Sequence, residues 1–240
     1  MPKAIDQHEQ LSQITQLNEQ GKLYEVYQNN ELRWLCIDGC VQSAMSLSHS
    51  DALMFPHMLF MTLPLHVMKT PTRALELGLG GGGTLRHLAE HYPTLNIEVV
   101  EYDKTVIALY EAHFNPQQHN HTIHCMDARQ FVRDTTSAPF DLIFVDVFDS
   151  AEPVTFMFEP SFYQDIKKRV TKSSWIVLNT VLSTQVHLET LHKVLIDVFS
   201  GTTIYGFKAE QFANFVWLIS TDNQPLDPIW RAQALFELHV

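Results

Sequence analysis

The chain changes its hydrophobic rhythm twice. Residues 1 to 20 are polar and glutamine-rich, with Leu11, Ile14 and Leu17 at a spacing that predicts one weak amphipathic helix. From Leu23 the period drops to two: Leu23 to Tyr27, Leu32 to Ile37 and Val41 to Met45 alternate, separated by Asn29-Asn30 and Asp38-Gly39, residue pairs suited to tight turns. A three-stranded antiparallel appendage is predicted. After about Ala74 short apolar runs alternate with helical stretches. Strands are expected at Ala74 to Leu77, Asn96 to Glu101, Thr122 to Met126, Asp141 to Asp146, Ser174 to Asn179, Thr203 to Phe207 and Phe215 to Ser220. Helices are expected at Thr84 to His91, Arg129 to Arg133, Phe158 to Val170 and Thr184 to Phe199. That alternation implies an α/β fold built on a mostly parallel sheet covered on both faces, doubly wound, with the last two strands antiparallel. The organisation read from it is a polar segment over 1–20, a β-hairpin appendage over 21–50 and one α/β domain over 51–240. With no repeat or low-complexity linker between them, the appendage is expected to pack on the domain. Trp34, Trp175 and Trp217 fall in strands and are read as core.

Composition narrows this only slightly. At 240 residues and 45% hydrophobic content, the chain can bury one substantial core. Its 16 basic and 27 acidic side chains give a formal charge of -11, which argues against nucleic acid or an anionic membrane as main partner and suits a cationic small molecule. No apolar run reaches the roughly 18 to 20 residues that cross a bilayer; the densest, Leu53 to Met68, is broken by Pro56, His57, Pro64 and His66. Cys36, Cys40 and Cys125, an odd number with no secretory leader ahead of them, predict reduced thiols and a cytoplasmic location. Cys36 and Cys40 lack zinc-knuckle spacing and are expected to be buried small hydrophobes. His119, His121, His124 and Cys125 form the one dense histidine group, but alternate residues on an extended segment face opposite ways, so no metal site is expected.

The chemistry is concentrated in Arg73-Ala-Leu-Glu-Leu-Gly-Leu-Gly-Gly-Gly-Gly-Thr-Leu-Arg86, a strand, a glycine turn and a helix. Gly78, Gly80, Gly81 and Gly82 allow positive φ and let a ligand lie against the main chain at a helix N-terminus. Glu101 and Asp103 end the next strand, about 20 residues on, where a carboxylate can grip a ribose diol. Tyr102 beside them is a candidate for stacking on a base. Glu76 at the strand end, and the absence of a phosphate-loop lysine, favour an adenosyl ligand without phosphates over a dinucleotide. Asp146 closes a buried strand at the carboxyl edge of the sheet, where α/β proteins build their sites. The pattern Glu76-x-Gly78-x-Gly80-x-Gly82 resembles motif I of the class I S-adenosylmethionine-dependent methyltransferases, which implies a seven-stranded sheet.

Five stretches in order resemble the polyamine aminopropyltransferases, the spermidine and spermine synthases. Leu35 to Ser43 is similar to that family's Leu-x-Leu-Asp-Gly-x-x-Gln-x hairpin, Asp51 to Met58 to its Asp-Glu-x-x-Tyr-x-Glu-Met segment, and Gly78 to Arg86 to Gly-Gly-Gly-Asp-Gly-Gly-Thr-Leu-Arg. Val100 to Asp103 resembles Val-Glu-Ile-Asp, and Val145 to Ser150 resembles Val-Asp-Ser-Ser-Asp-Pro. The likeness covers about Leu23 to Ser220. It implies that Glu101 binds the ribose hydroxyls, that Asp127 accepts from the adenine amino group with the Ala128 amide beside it, and that Asp146 takes the proton of the attacking amine. It further implies Asp149 as a second carboxylate for a cationic amine, S-adenosylmethionine or its decarboxylated form as cofactor, methylthioadenosine or S-adenosylhomocysteine as product, a small-molecule acceptor such as a polyamine, and a homodimer.

The amine half departs from that pattern. Gly81 stands where the family carries the glycine-loop aspartate, Phe55 and His57 replace the Tyr and Glu of the Tyr-x-Glu-Met segment, and Asn179 replaces a glutamine after the fifth strand. Losing a carboxylate beside a desolvated ammonium costs about 2 to 5 kcal/mol. It also removes a charge that would repel the carboxylate of S-adenosylmethionine. The expectation is therefore a transferase of the spermidine synthase-like branch with a divergent amine site, in which ordinary spermidine synthesis is not what the residues predict. Methyl transfer to a small molecule and non-catalytic binding of an adenosyl ligand are the alternatives.

Overall fold

The computed structural model describes residues 11–134, 136–148, 154–182, 184–209 and 212–239. The chain opens with a four-stranded antiparallel sheet, β1 (Ser12–Glu19), β2 (Lys22–Gln28), β3 (Leu32–Ile37) and β4 (Cys40–Ser46), paired in that order. The first strand corrects the predicted helix, residues 1–10 of which lie outside the described residues. Leu11, Ile14 and Leu17 face solvent, so their helical spacing marks no buried stripe; β1 is held by pairing with β2, register Glu19 to Lys22, with a bulge at Ile14. The signal for it was the turn Gln20-Gly21, both at positive φ, matching Asp38-Gly39 between β3 and β4. Cys36 is buried as expected, whereas Cys40 at the turn is exposed. Cys125 is exposed too.

A crossing segment with a short helix, α1 (Pro56–Met61), and a 3₁₀ turn at Leu63–His66 leads into the main domain. There β5 (Arg73–Leu77), α2 (Gly83–His91), β6 (Asn96–Glu101), α3 (Lys104–Leu109), β7 (Thr122–Cys125), α4 (Ala128–Arg133), β8 (Phe140–Val145), α5 (Pro160–Lys167), β9 (Val170–Val181), α6 (Gln185–Val198), β10 (Thr203–Lys208), β11 (Asn214–Ser220), α7 (Pro228–Arg231) and β12 (Phe236–His239) follow. The sheet order is β12-β10-β11-β9-β8-β5-β6-β7, with β9, β8, β5, β6 and β7 parallel. All seven expected strands are present, and β12 adds an eighth antiparallel to β10 at the edge. The predicted helix from Phe158 overran: α5 ends at Lys167, Arg169 is buried with its Nε donating to the Val132 carbonyl at 2.7 Å, and Val170 already pairs with Phe140. Trp34, Trp175 and Trp217 are core. No helix among the described residues is long and apolar enough to cross a membrane.

Alternation along the strands divides the core in two. Ala74, Val99, Phe144, Val177 and Val216 face one cluster, under α2 and α3; Leu75, Val100, Val145, Leu178 and Trp217 face the other, with α5 and α6. Tyr24, Val26, Leu35 and Met45 of the small sheet belong to the first cluster, together with Leu85, Leu109 and Phe114. Polar ties reinforce the seam. The Tyr24 hydroxyl donates to Asp103 Oδ2 at 2.5 Å, Arg33 Nη1 donates to the His113 carbonyl at 2.5 Å, and Thr15 Oγ1 lies 2.8 Å from His113 Nε2. The appendage is thus packed on the domain, as expected. Because the two sheets share this core, Leu35→Ala should cost about 2 to 5 kcal/mol and leave one cooperative calorimetric transition; a separate low-temperature melt of the small sheet would contradict a shared core.

Candidate active site

The site grows from the carboxyl edge of the sheet. β5 ends at Leu77, and Gly78 follows at φ +96°, its amide donating to the Val100 carbonyl at 2.8 Å. Across from it the Asp146 amide donates to the Leu77 carbonyl at 2.8 Å. A Cβ on Gly78 would drive into the Asp146 carbonyl, so only glycine fits between the two strand ends. The turn runs through Leu79 and Gly80 and enters α2 at Gly82.

Pleating places a polar row along this edge, on the face of α2 and α3. Asp146 follows Phe144 by two residues, Asn179 follows Val177, Asn214 precedes Val216 and Glu101 follows Val99, so all four side chains share that face. Glu76 lies on the same face, one step below Gly78. Asn179 Nδ2 donates to Asp146 Oδ1 at 2.8 Å, and Asn214 Nδ2 donates to Asn179 Oδ1 at 3.0 Å. Glu101 is buried; its Oε2 accepts from the Leu79 amide at 3.0 Å and its Oε1 from the Asp103 amide at 2.9 Å. One carboxylate therefore holds both the glycine turn and the end of its own strand, with lone pairs to spare.

Burial sets the electrostatics. It pushes the Asp146 carboxyl up to about 6, with the Asn179 bond pulling the other way. It holds Glu101 above the ordinary range against the backbone amides that lower it, and raises Glu76 furthest, with Asp146 and Glu101 adding to the effect. Glu76 Oε2 is buried without a partner. The nearby cation is Arg86 on α2, buried to 2% exposure, whose Nε donates to the Ser50 carbonyl at 2.7 Å and whose Nη1 donates to the carbonyls of Gly81 and Phe114. It buckles the glycine turn to the crossing segment and to Phe114, at the end of the helical segment Tyr110–Phe114 that follows α3, and burial brings its guanidinium down to about 10.

The remaining expected residues are less tightly gathered. Asp127 caps α4, accepting from the Arg129 amide at 2.8 Å, and is paired with the Arg129 guanidinium at 2.6 Å, which holds its carboxyl low; Ala128 is buried beside it. Tyr102 is exposed, its hydroxyl accepting from Lys22 Nζ at 3.1 Å. Phe55 and His57 stack with centroids 5.6 Å apart, and Phe55 meets Phe212 edge-on. His57 is buried, its Nδ1 has no partner, and burial takes it down to about 4, so the ring is neutral. Asp149 lies outside the described residues. Sequence reasoning missed the residues that press on the turn: Ser43 against Gly81, the Tyr110 ring against Gly82 and Met58 against Gly83. The unbroken glycine run was their signal, because each lacks a side chain where a neighbour fills the space. Asn214 left no comparable trace.

Residues 54–221 match the family description of the spermine/spermidine synthase domain. The chain belongs to the spermine/spermidine synthase family. It is 27% identical to a polyamine aminopropyltransferase of Vibrio vulnificus over 188 residues, covering 74% of this chain and 63% of that one. A spermidine synthase of Solanum lycopersicum is 26% identical over 188 residues, 76% of this chain and 51% of the relative. The chain thus spans between about half and just under two thirds of the length of these two relatives. Among solved structures, a spermidine synthase in complex with the transition state analogue AdoDATO superposes with a TM-score of 0.71 at 18% identity, covering 94% of this chain and 80% of that one. A human methyltransferase-like protein 13 in complex with SAH gives 0.60 at 23% identity, covering 72% and 83%. Both likenesses are of fold, and together they place this family member on a methyltransferase-like framework.

Glu76 supplies a test of the buried row. Its folded carboxyl binds a proton more tightly than the unfolded chain's, so the native state holds the extra proton and stability falls as pH rises above the ordinary value of 4.5. Glu76→Gln should flatten that fall in denaturant titrations between about pH 5 and 8; an unchanged slope would mean that Glu76 is ionised in the fold.

Proposed function

We propose that the chain is a spermidine synthase-like transferase that binds an S-adenosyl ligand over the glycine turn and delivers a group to a small amine. The observation that carries it is the edge row itself. Glu101, locked by the Leu79 and Asp103 amides, and Asp146, held by Asn179, stand on either side of Gly78. The residues fit the ligand: space is open beyond Gly80, where a Cβ would meet nothing within 4 Å, and the turn is an electropositive helix entry. Glu101 would hold the ribose diol, and Asp127 and Ala128, on the neighbouring strand end, the adenine edge. The sulfonium supplies an activated alkyl group when bound. What this chain adds is position and proton transfer.

Asp146 receives the proton. An amine attacks only through a free lone pair, so a carboxylate at the sheet edge must be ionised to accept the ammonium's proton and to aim the nitrogen. With its carboxyl near 6, Asp146 is mostly ionised at neutral pH yet basic enough to share that proton. The acidic overall charge suits a cationic acceptor, a polyamine among them. A homodimer and a cytoplasmic setting complete this reading by resemblance to the family. Asp146→Asn should abolish turnover while leaving calorimetric binding of methylthioadenosine intact, and wild-type turnover should rise with pH through about 6 as the carboxyl ionises. Wild-type activity in the variant would overturn Asp146's role. No binding of S-adenosylmethionine, its decarboxylated form or methylthioadenosine would overturn the adenosyl site.

A specific observation favours methyl transfer as the second reading. The side-chain space at Gly81, where the resemblance places a carboxylate for the amine of the decarboxylated cofactor, is taken by Ser43 of β4: a Cβ there would lie 2.5 Å from Ser43 Oγ and 2.8 Å from its Cβ. A carboxylate is thus both absent and sterically excluded, and the divergent amine site extends to the appendage. Gly81→Asp alone should lower stability and weaken every adenosyl ligand. Combined with Ser43→Gly it should shift preference toward decarboxylated S-adenosylmethionine by about tenfold or more in calorimetric Kd. Equal behaviour of the single and double variants would show that Ser43 does not set the choice.

A further inference from the structure

Asp146 has a carboxylate oxygen to offer an acceptor only if its other oxygen is held, and the holding group is a reversible one. A side-chain amide has a donor end and an acceptor end of nearly the same shape, so Asn179 alone could turn either end toward Asp146. Turned one way, its NH₂ donates to the carboxylate; turned the other, a carbonyl oxygen faces a carboxylate oxygen. An ionised Asp146 only accepts and so favours the NH₂ end, and a donor on the far side holds that choice. Asn214 Nδ2 donates to Asn179 Oδ1 at 3.0 Å, which leaves the Asn179 NH₂ to meet Asp146 Oδ1 at 2.8 Å. Asn214 and Asn179 sit on adjacent antiparallel strands, Asn214 opposite Val181 and Asn179 opposite Val216, so both project from one face of the sheet. Asn179 is 2% exposed, which removes water as a substitute partner for its carbonyl end.

We infer that Asn214 is a positioning residue: by donating to Asn179 it fixes the direction of that amide, keeps Oδ1 of Asp146 tied and leaves Oδ2 for the acceptor amine. The inference rests on the reading of Asp146 as proton acceptor. No other side chain among the described residues donates to Asp146. The titratable group coupled to it is Glu76 on β5, which in turn feels Glu101 on β6 and Arg86 on α2; α1, which carries His57, packs across β9 and β11. Burial opposes the charge on Asp146, so an NH₂ directed at it counts for more than it would in water.

Asn214→Asp tests this, because a carboxylate at 214 can only accept, so it competes with Asp146 for the Asn179 NH₂ and draws the Asn179 oxygen toward Asp146. A ¹³C carboxyl titration of Asp146 should then show its midpoint raised by about one pH unit, equal to a tenfold change in proton affinity. The new charge alone could act through space, so the same substitution is made in an Asn179→Ala background, where the relay predicts no further shift. Asn214→Leu, which adds no charge, should raise the midpoint by a smaller amount and serves if Asn214→Asp does not fold. An unmoved midpoint in the folded variant, or an equal shift with Asn179 removed, would overturn the inference. The titration needs no turnover, so an absence of transferase activity would sink the proposed function and leave the relay tested on its own.

Discussion

Everything at the functional edge depends on how closely two strand ends approach at Gly78. The main chains of β5 and β8 meet there with the Asp146 amide on the Leu77 carbonyl and no room for a side chain between them. That contact brings Asp146 to one side of the turn and Glu101 to the other, because Gly78 also donates to the Val100 carbonyl of β6. A single bulky atom would spread the strands and separate Asp146 from Glu101. Regular parallel pairing thus becomes a site by the omission of one Cβ.

Concentrating acids at such an edge is costly, and the fold offsets the cost by keeping them in different states. Glu101 is satisfied by main-chain amides, Asp146 by an amide side chain, and Glu76 is raised furthest, toward its neutral form. A buried carboxyl avoids the penalty of an unpaired charge by holding its proton. Arg86 is spent mainly on carbonyls of the turn and of the segments crossing it, so its contribution is the rigidity of the loop. The row across β11, β9 and β8 then has a direction of hydrogen bonding that ends on the carboxylate.

The small N-terminal sheet reaches the glycine turn. Sharing a core with α2 and α3 brings β4 against the glycine turn, and Ser43 fills the space beside Gly81. A glycine of the loop and a contact from a different sheet therefore act as one feature. A side chain at Gly81 would meet Ser43, so the glycine there fits a space already filled.

The sequence was enough for the architecture of the main sheet and for the identity of its edge residues. Seven strands were legible because buried parallel strands are short apolar runs, and Glu76, Glu101, Asp127 and Asp146 stood out as carboxylates ending them. Where an element is held by pairing and not by burial, periodicity misled: β1 carries its apolar residues outward, and β12 and the early end of α5 depend on neighbours far along the chain. Asn214 and Ser43 were silent for the same reason. Their roles arise from register between strands and from the docking of one sheet on another, contacts between residues 35 and 38 positions apart that no local pattern encodes. The chain by itself determined which carboxylates end the parallel strands; only the tertiary structure decided that Asn214 joins them, which way an amide points and which space is already full, because those depend on distances that packing alone sets.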